Sequence, residues 1–252
     1  MSGGGARAAY QVGALRAIAR ILKPAPAPFH VICGTSAGAI NAAVLAVHAD
    51  HFRNGVARLV RLWRNIDVGD VYKADLATVS AHGMRWLASV LTGRPGPANA
   101  ASMFDNHPLR TLLLREMNTE RIAAHIADGR LRALAINATS YATGQAVTFY
   151  QGDATIQAWQ RMRRRGEPAT IGADHLLAST AIPFIFPATR IGRDYFADGS
   201  VRQIAPLSPA LHLGARRLLV VAVGQFTGQS ASPTPAAAAR RYPSFAQVAG
   251  HA

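Results

Sequence analysis

Cysteine is nearly absent: Cys33 is the single one in 252 residues. That excludes an internal disulfide and any cysteine-rich zinc site, and nothing in the chain calls for an oxidising compartment. Set in an apolar run, Cys33 reads as a small buried strand residue rather than a reactive thiol. Lysine is almost as scarce, with Lys23 and Lys73 alone, and no acidic residue precedes Asp50. No uninterrupted apolar stretch reaches the roughly 18 residues of a spanning helix, so none is expected. Met1-Ser2-Gly3-Gly4-Gly5 has no basic segment leading into an apolar core, so no secretory signal is expected either. The expected location is cytoplasmic or peripheral to a membrane.

What is present is apolar and basic. Half of the residues are hydrophobic, which at this length supports one full core and one α/β domain. The formal net charge is +14, carried almost wholly by arginine. Arginine spread among alanine and proline is what compositional bias of a genome gives; its functional reading is attraction to an anionic surface. There is no basic stripe interleaved with aromatics and no nucleic-acid-binding motif, so nucleic acid is not expected. An anionic membrane surface is the expected partner of the charge. The densest basic cluster is Arg161, Arg163, Arg164 and Arg165.

One stretch organises the chain. An apolar run over residues 29–33 reads as a buried strand. It enters Gly34-Thr35-Ser36-Ala37-Gly38, and a small-residue helical run over 39–47 leaves it. This is G-x-S-x-G in strand–turn–helix context, a nucleophile elbow. So sharp a turn strains the serine backbone, and Gly34 and Gly38 lack the Cβ that would keep strand and helix apart. The Ser36 hydroxyl is then presented at a helix N-terminus, where partial positive charge favours a developing anion.

A serine nucleophile also needs a home for the oxyanion and a base. Gly3-Gly4-Gly5, ahead of an amphipathic helix over 8–22, can turn successive N–H groups one way. Arg7 would hold that loop in shape or meet an anionic substrate group. Gly3-x-Gly5-x-x-Ala8 also fits the dinucleotide fingerprint. That fingerprint needs a preceding strand and an acidic residue about 20 residues on, and both are lacking. For the base there are two options. Asp198 follows the aromatic strand residues Tyr195-Phe196 and precedes Gly199, which allows a tight turn. It would take the serine proton itself, and partial burial would raise its pKa. The other option is a Ser-His-Asp arrangement of Asp198 with His212 or His251, in the chain order of the α/β-hydrolases.

Between residues 50 and 128 the pattern is helical, at 52–66, 71–91, about 105–115 and 120–128, with a flexible loop at 93–101. This region interrupts the α/β alternation and is expected to carry a lid or a substrate-binding surface. Strands are predicted at 131–139 and 146–150, joined by a hairpin at Thr143-Gly144, and helices at 175–179 and 207–214. Residues 217–223 read as a buried parallel strand. Residues 1–227 are read as the hydrolase-type domain, and 228–252 as a Ser/Pro/Ala linker leading into a further helical region.

Gly3-Gly4-Gly5-Ala6-Arg7, Gly34-Thr35-Ser36-Ala37-Gly38 and Asp198-Gly199, in that order and at that spacing, resemble the patatin-like phospholipases. Ser179-Thr180-Ala181-Ile182-Pro183, with Phe186-Pro187, is similar to the stretch before that family's Asp-Gly motif. The resemblance covers most of residues 2–224. It implies a three-layer α/β/α fold with a mainly parallel central sheet. It implies a serine lipid acyl hydrolase, of phospholipase A or lipid esterase type, acting on a lipid or phospholipid without metal or cofactor. It carries over Ser36 as nucleophile and Asp198 as proton acceptor. Gly3, Gly4, Gly5 and Arg7 become the oxyanion hole, Gly34 and Gly38 the elbow glycines, and Gly199 the Asp-Gly turn. Ala8 stands where many members have glycine, and Ser200 where Ala or Gly usually follows Asp-Gly. A strand before Gly3 is missing. The glycine loop is therefore expected to lack its anchor, one sheet position to stand empty, and the chain to be truncated at both ends. This keeps a rival in play: a non-catalytic membrane- or lipid-binding protein with the same fold.

Overall fold

The computed structural model describes residues 1–22, 27–73, 102–203 and 207–223. Most of the helix expected at 71–91, the loop at 93–101, and the linker and helix at 228–252 lie outside the described residues.

The sheet is laid about β2 (Ala133–Ser140), whose eight residues are all buried. One edge of β2 is covered by antiparallel β3 (Ala146–Gly152), joined to it through the expected turn at Thr143-Gly144. The other edge is shared. β1 (Val31–Thr35) runs parallel along residues 133–137, and β7 (Asp194–Asp198) runs antiparallel along residues 138–140. Outside β3 come β5 (Arg164–Pro168) and then β4 (Trp159–Arg161); outside β7 comes β6 (Thr189–Ile191).

The α/β class is as expected, but the sheet is mixed rather than mainly parallel. Only β1–β2 and β3–β5 pair in parallel among the described strands. The cause is connection length. β2–β3, β4–β5 and β6–β7 are joined by short turns, which reverse the chain, whereas a parallel neighbour needs a crossover of about a dozen residues or more.

The helices are α1 (Ala8–Ile21), α2 (Ala37–Val47), α3 (Phe52–Asn65), α4 (Val68–Val71), α5 (His107–Glu116), α6 (Thr119–Ala127), α7 (Ala173–Thr180) and α8 (Leu207–His212). α2 is buried at every position, and its alanines let it lie close on β1 and β2. Ile32, Leu134, Ile136, Val147 and Phe149 join it in the principal core. Ala133, Ala135 and Tyr150 form a second cluster with Leu213, just beyond α8, and Trp159. Both faces of the sheet are thus covered, in three layers of unequal thickness.

Residues 217–223 are not the buried strand expected: they form no ladder, and Leu218, Leu219 and Val220 are exposed. An apolar run needs a partner edge to become a strand, and here the partner is short. Ser2 N donates to Val221 O at 3.3 Å, and Val223 N to Ser2 Oγ at 3.2 Å. On the opposite side, Met1 N donates to Cys33 O at 2.8 Å, and Thr35 N to Met1 O at 3.2 Å. Met1 and Ser2 therefore bridge β1 and residues 217–223, and they anchor the glycine loop for which no anchor was expected. A groove of about 850 Å³ lies between β1 and residues 217–223.

Candidate active site

Thr35 ends β1 and pairs with Asn137; Asp198 ends β7 and pairs with Ala138. Consecutive residues of β2 therefore bring two chain ends together. Ser36 follows Thr35 at the turn into α2, and Ser36 Oγ donates to Asp198 Oδ2 at 2.6 Å across 162 residues of sequence. Both side chains are buried.

Ser36 has φ 54° and ψ −133°. A positive φ at a residue with a Cβ costs on the order of 1–3 kcal/mol and persists only where its surroundings hold it. Ser36 N donates to Ser179 Oγ at 2.9 Å, and Ser179 Oγ in turn donates to Asn137 O at 2.6 Å. A Cβ on Gly34 would collide with Gly38 O and Ala39 Cα, and one on Gly38 with Ser2 O. Elbow and glycine loop thus meet at backbone contact, which only glycine permits. Gly199 is pressed in the same way against Asn137 O.

Asp198 Oδ1 accepts from Ser200 N at 2.8 Å and from Ser200 Oγ at 2.7 Å, so both carboxyl oxygens are held. Burial pushes the carboxyl above its ordinary range; the hydrogen bonds from Ser36 and Ser200 oppose this without cancelling it.

Gly3 lies against the pair: a Cβ there would stand 3.1 Å from Ser36 Cβ and 3.4 Å from Ser200 Cβ. Gly5, at φ +52°, opens the 3-10 turn that leads into α1. Arg7 is exposed, and its N–H donates to Gly4 O at 3.0 Å. The loop is braced by a buried polar chain. Gln11 Nε2 donates to Ser2 O at 2.7 Å, Asn41 Nδ2 to Gln11 Oε1 at 3.1 Å, and Trp63 Nε1 to Asn41 Oδ1 at 2.7 Å.

Gln11 and Asn41 belong to no catalytic motif, and Ser179 and Ser200 stand in the sequence only as parts of motifs. A signal was available. Gln11 sits with Ala8, Val12 and Leu15 on the buried stripe of α1, and Asn41 in an otherwise apolar helix. A polar residue in such a place must find a partner.

His212 is not brought to the pair. It stacks on Trp159 at 4.7 Å, and burial together with Arg161 and Arg164 lowers its pKa. His251 lies outside the described residues. Burial pushes the Cys33 thiol up to about 12, in keeping with an unreactive strand residue. Among the described residues, no cluster of His, Cys, Asp or Glu is arranged to hold a metal.

The segment after α7 returns the chain to Asp198, whose N–H donates to Ala181 O at 2.8 Å. It carries Phe184, exposed and at φ 66°, and Phe186, which packs with Phe104 around Tyr72.

A hydroxyl bonded to a buried carboxylate, at a helix N-terminus and beside a glycine loop, is equipped for acyl transfer. Residues 1–211 match the family described as Patatin-like phospholipase. No curated protein matches the chain.

Proposed function

The chain belongs to the patatin-like phospholipase family, whose members are hydrolases of lipids, and on that premise we propose a lipid acyl hydrolase of phospholipase A or lipid esterase type with a Ser36–Asp198 dyad. The observation that carries this reading is the 2.6 Å bond from Ser36 Oγ to Asp198 Oδ2.

Asp198 takes the Ser36 proton as Oγ attacks the ester carbonyl carbon. The carbonyl oxygen becomes an oxyanion, received by the amides of Gly3, Gly4 and Gly5 and by the positive end of α2. Arg7 keeps the glycine loop in register. The tetrahedral intermediate collapses, the C–O bond to the alcohol breaks, and Asp198 returns the proton to the departing oxygen. Asp198 then takes a proton from water, whose oxygen attacks the acyl–Ser36 ester. Asp198 gives that proton to Ser36 Oγ as the acyl C–O bond breaks, so that the serine hydroxyl and the ionised Asp198 are restored and the fatty acid is released. A carboxylate with a raised pKa is the stronger base for both half-reactions. The substrate is a lipid or phospholipid presented at a membrane surface. Among the described residues no helix is long and apolar enough to cross a membrane.

The test is turnover of a short-chain aryl ester by the wild type, Ser36→Ala and Asp198→Asn, with fluorophosphonate labelling alongside. Each variant is expected to lose on the order of a thousandfold or more in kcat, with the label confined to Ser36. Undiminished turnover in either variant rejects the dyad. A folded wild type that neither turns over ester nor takes the label is instead a lipid-binding member of the family.

A further inference from the structure

α1 and α3 pack side by side, and neither contains an acidic residue. Arg16 and Arg20 lie one turn apart on α1; Arg53 and Arg61 lie on one stripe of α3, with Ala57 between them. These four arginines rim an open groove of about 400 Å³, with Ala19 and Val56 in its floor. Arg53 Nε donates to Ala19 O at 3.0 Å, which fixes that guanidinium at the seam between the helices. Among the described residues, the arginines paired with carboxylates are Arg58, Arg110, Arg121, Arg130 and Arg165, none of them from this rim. Like charges spaced by one turn repel, and none of the four forms an ion pair with a described carboxylate. Directly after Arg20, Ile21 is 80% exposed and Leu22 is 38% exposed.

We propose that the α1–α3 face docks the protein on a membrane rich in anionic phospholipid. The rim arginines meet headgroup phosphates, and Ile21 and Leu22 enter the boundary of the acyl chains. Charge complementarity selects an anionic partner, and the exposed apolar pair that follows Arg20 at the end of α1 selects a lipid surface among anionic partners. A nucleic-acid backbone would leave Ile21 and Leu22 in water, and the groove offers no aromatic side chain on which a base could stack. At about 1.5 Å per residue, Arg16 and Arg20 stand only about 12 and 18 Å along α1 from the glycine-loop end.

The inference rests on the lipid reading of the site for its purpose, but binding is measured without turnover. Ser36→Ala protein is sedimented with vesicles of phosphatidylcholine, with or without phosphatidylserine. Binding is expected to the anionic vesicles alone and to weaken as salt rises. Arg16→Gln/Arg20→Gln/Arg61→Gln is expected to lower the partition roughly a hundredfold, at about fivefold per basic side chain. In a Ser36 background the same triple variant keeps its melting temperature and its turnover of a soluble aryl ester. Arg161→Gln/Arg163→Gln/Arg164→Gln removes equal charge from the β4–β5 hairpin and is expected to change binding little. Ile21→Ser weakens binding at every salt concentration. Equal binding to neutral vesicles overturns the proposal. So does an unchanged triple variant, an equal loss in the hairpin variant, or tighter binding to duplex DNA than to vesicles. A wild type that binds anionic vesicles yet turns over no ester would count against the dyad and not against this face.

Discussion

Ser200 gives Asp198 Oδ1 two hydrogen bonds, one from its backbone and one from its hydroxyl at 2.7 Å. Both favour the charged carboxylate and so work against burial, which is the larger influence. Asp198 must be ionised to accept the serine proton, so the acid limb of kcat/KM follows its titration. Ser200→Ala keeps the backbone bond and removes only the hydroxyl. The acid limb is then expected to move to higher pH by about half a unit to one unit, the worth of one net hydrogen bond. The plateau should change little. A limb that stays in place would mean that some other group controls it. This interaction was illegible in sequence, where Ser200 is merely a small residue after Asp-Gly; its hydroxyl matters because the 3-10 turn Gly199–Val201 folds it back onto the carboxylate.

β2 was legible as a strand and its hairpin with β3 was legible as a turn, because apolar runs flank Thr143-Gly144. That β1 and β7 divide one edge of β2 was not. A strand buried along its whole length shows no alternation, and its sequence therefore says nothing about which neighbour takes which half. The dyad comes from that division, with Thr35 opposite Asn137 and Asp198 opposite Ala138. The glycine loop depends on a helix in the same indirect way. Gln11 is fully buried, and it ties Ser2 O to Asn41 on α2. Gln11→Leu keeps the volume roughly but leaves Ser2 O and Asn41 short of partners. The loop is then free to shift, and a displacement of about 1 Å is worth on the order of a hundredfold in rate. The expected result is a fall in kcat with KM nearly unchanged in a protein that still melts cooperatively. An equal rise in KM would point to substrate binding instead.

At the scale of the molecule, fold class and the order of motifs were readable because helices 8–22 and 52–66 are long and periodic and the small-residue run 39–47 follows a strand and a G-x-S-x-G turn. The mixed character of the sheet was not. β4 and β5 are short and rich in arginine, so they carry no apolar alternation to announce them. Net charge was equally plain in the sequence, yet its distribution was not. The obvious cluster at 161–165 lies on the β4–β5 hairpin, while the arginines that surround an apolar floor come from two helices. One consequence concerns heat. The reacting oxygens are held in place by the interior strand of the sheet, with helices packed on both sides of it. Warming cannot disarm the serine gradually while the scaffold survives. Ester turnover and the far-ultraviolet signal of the sheet should vanish over the same few degrees, and a protein assayed just below that transition should work at nearly full strength.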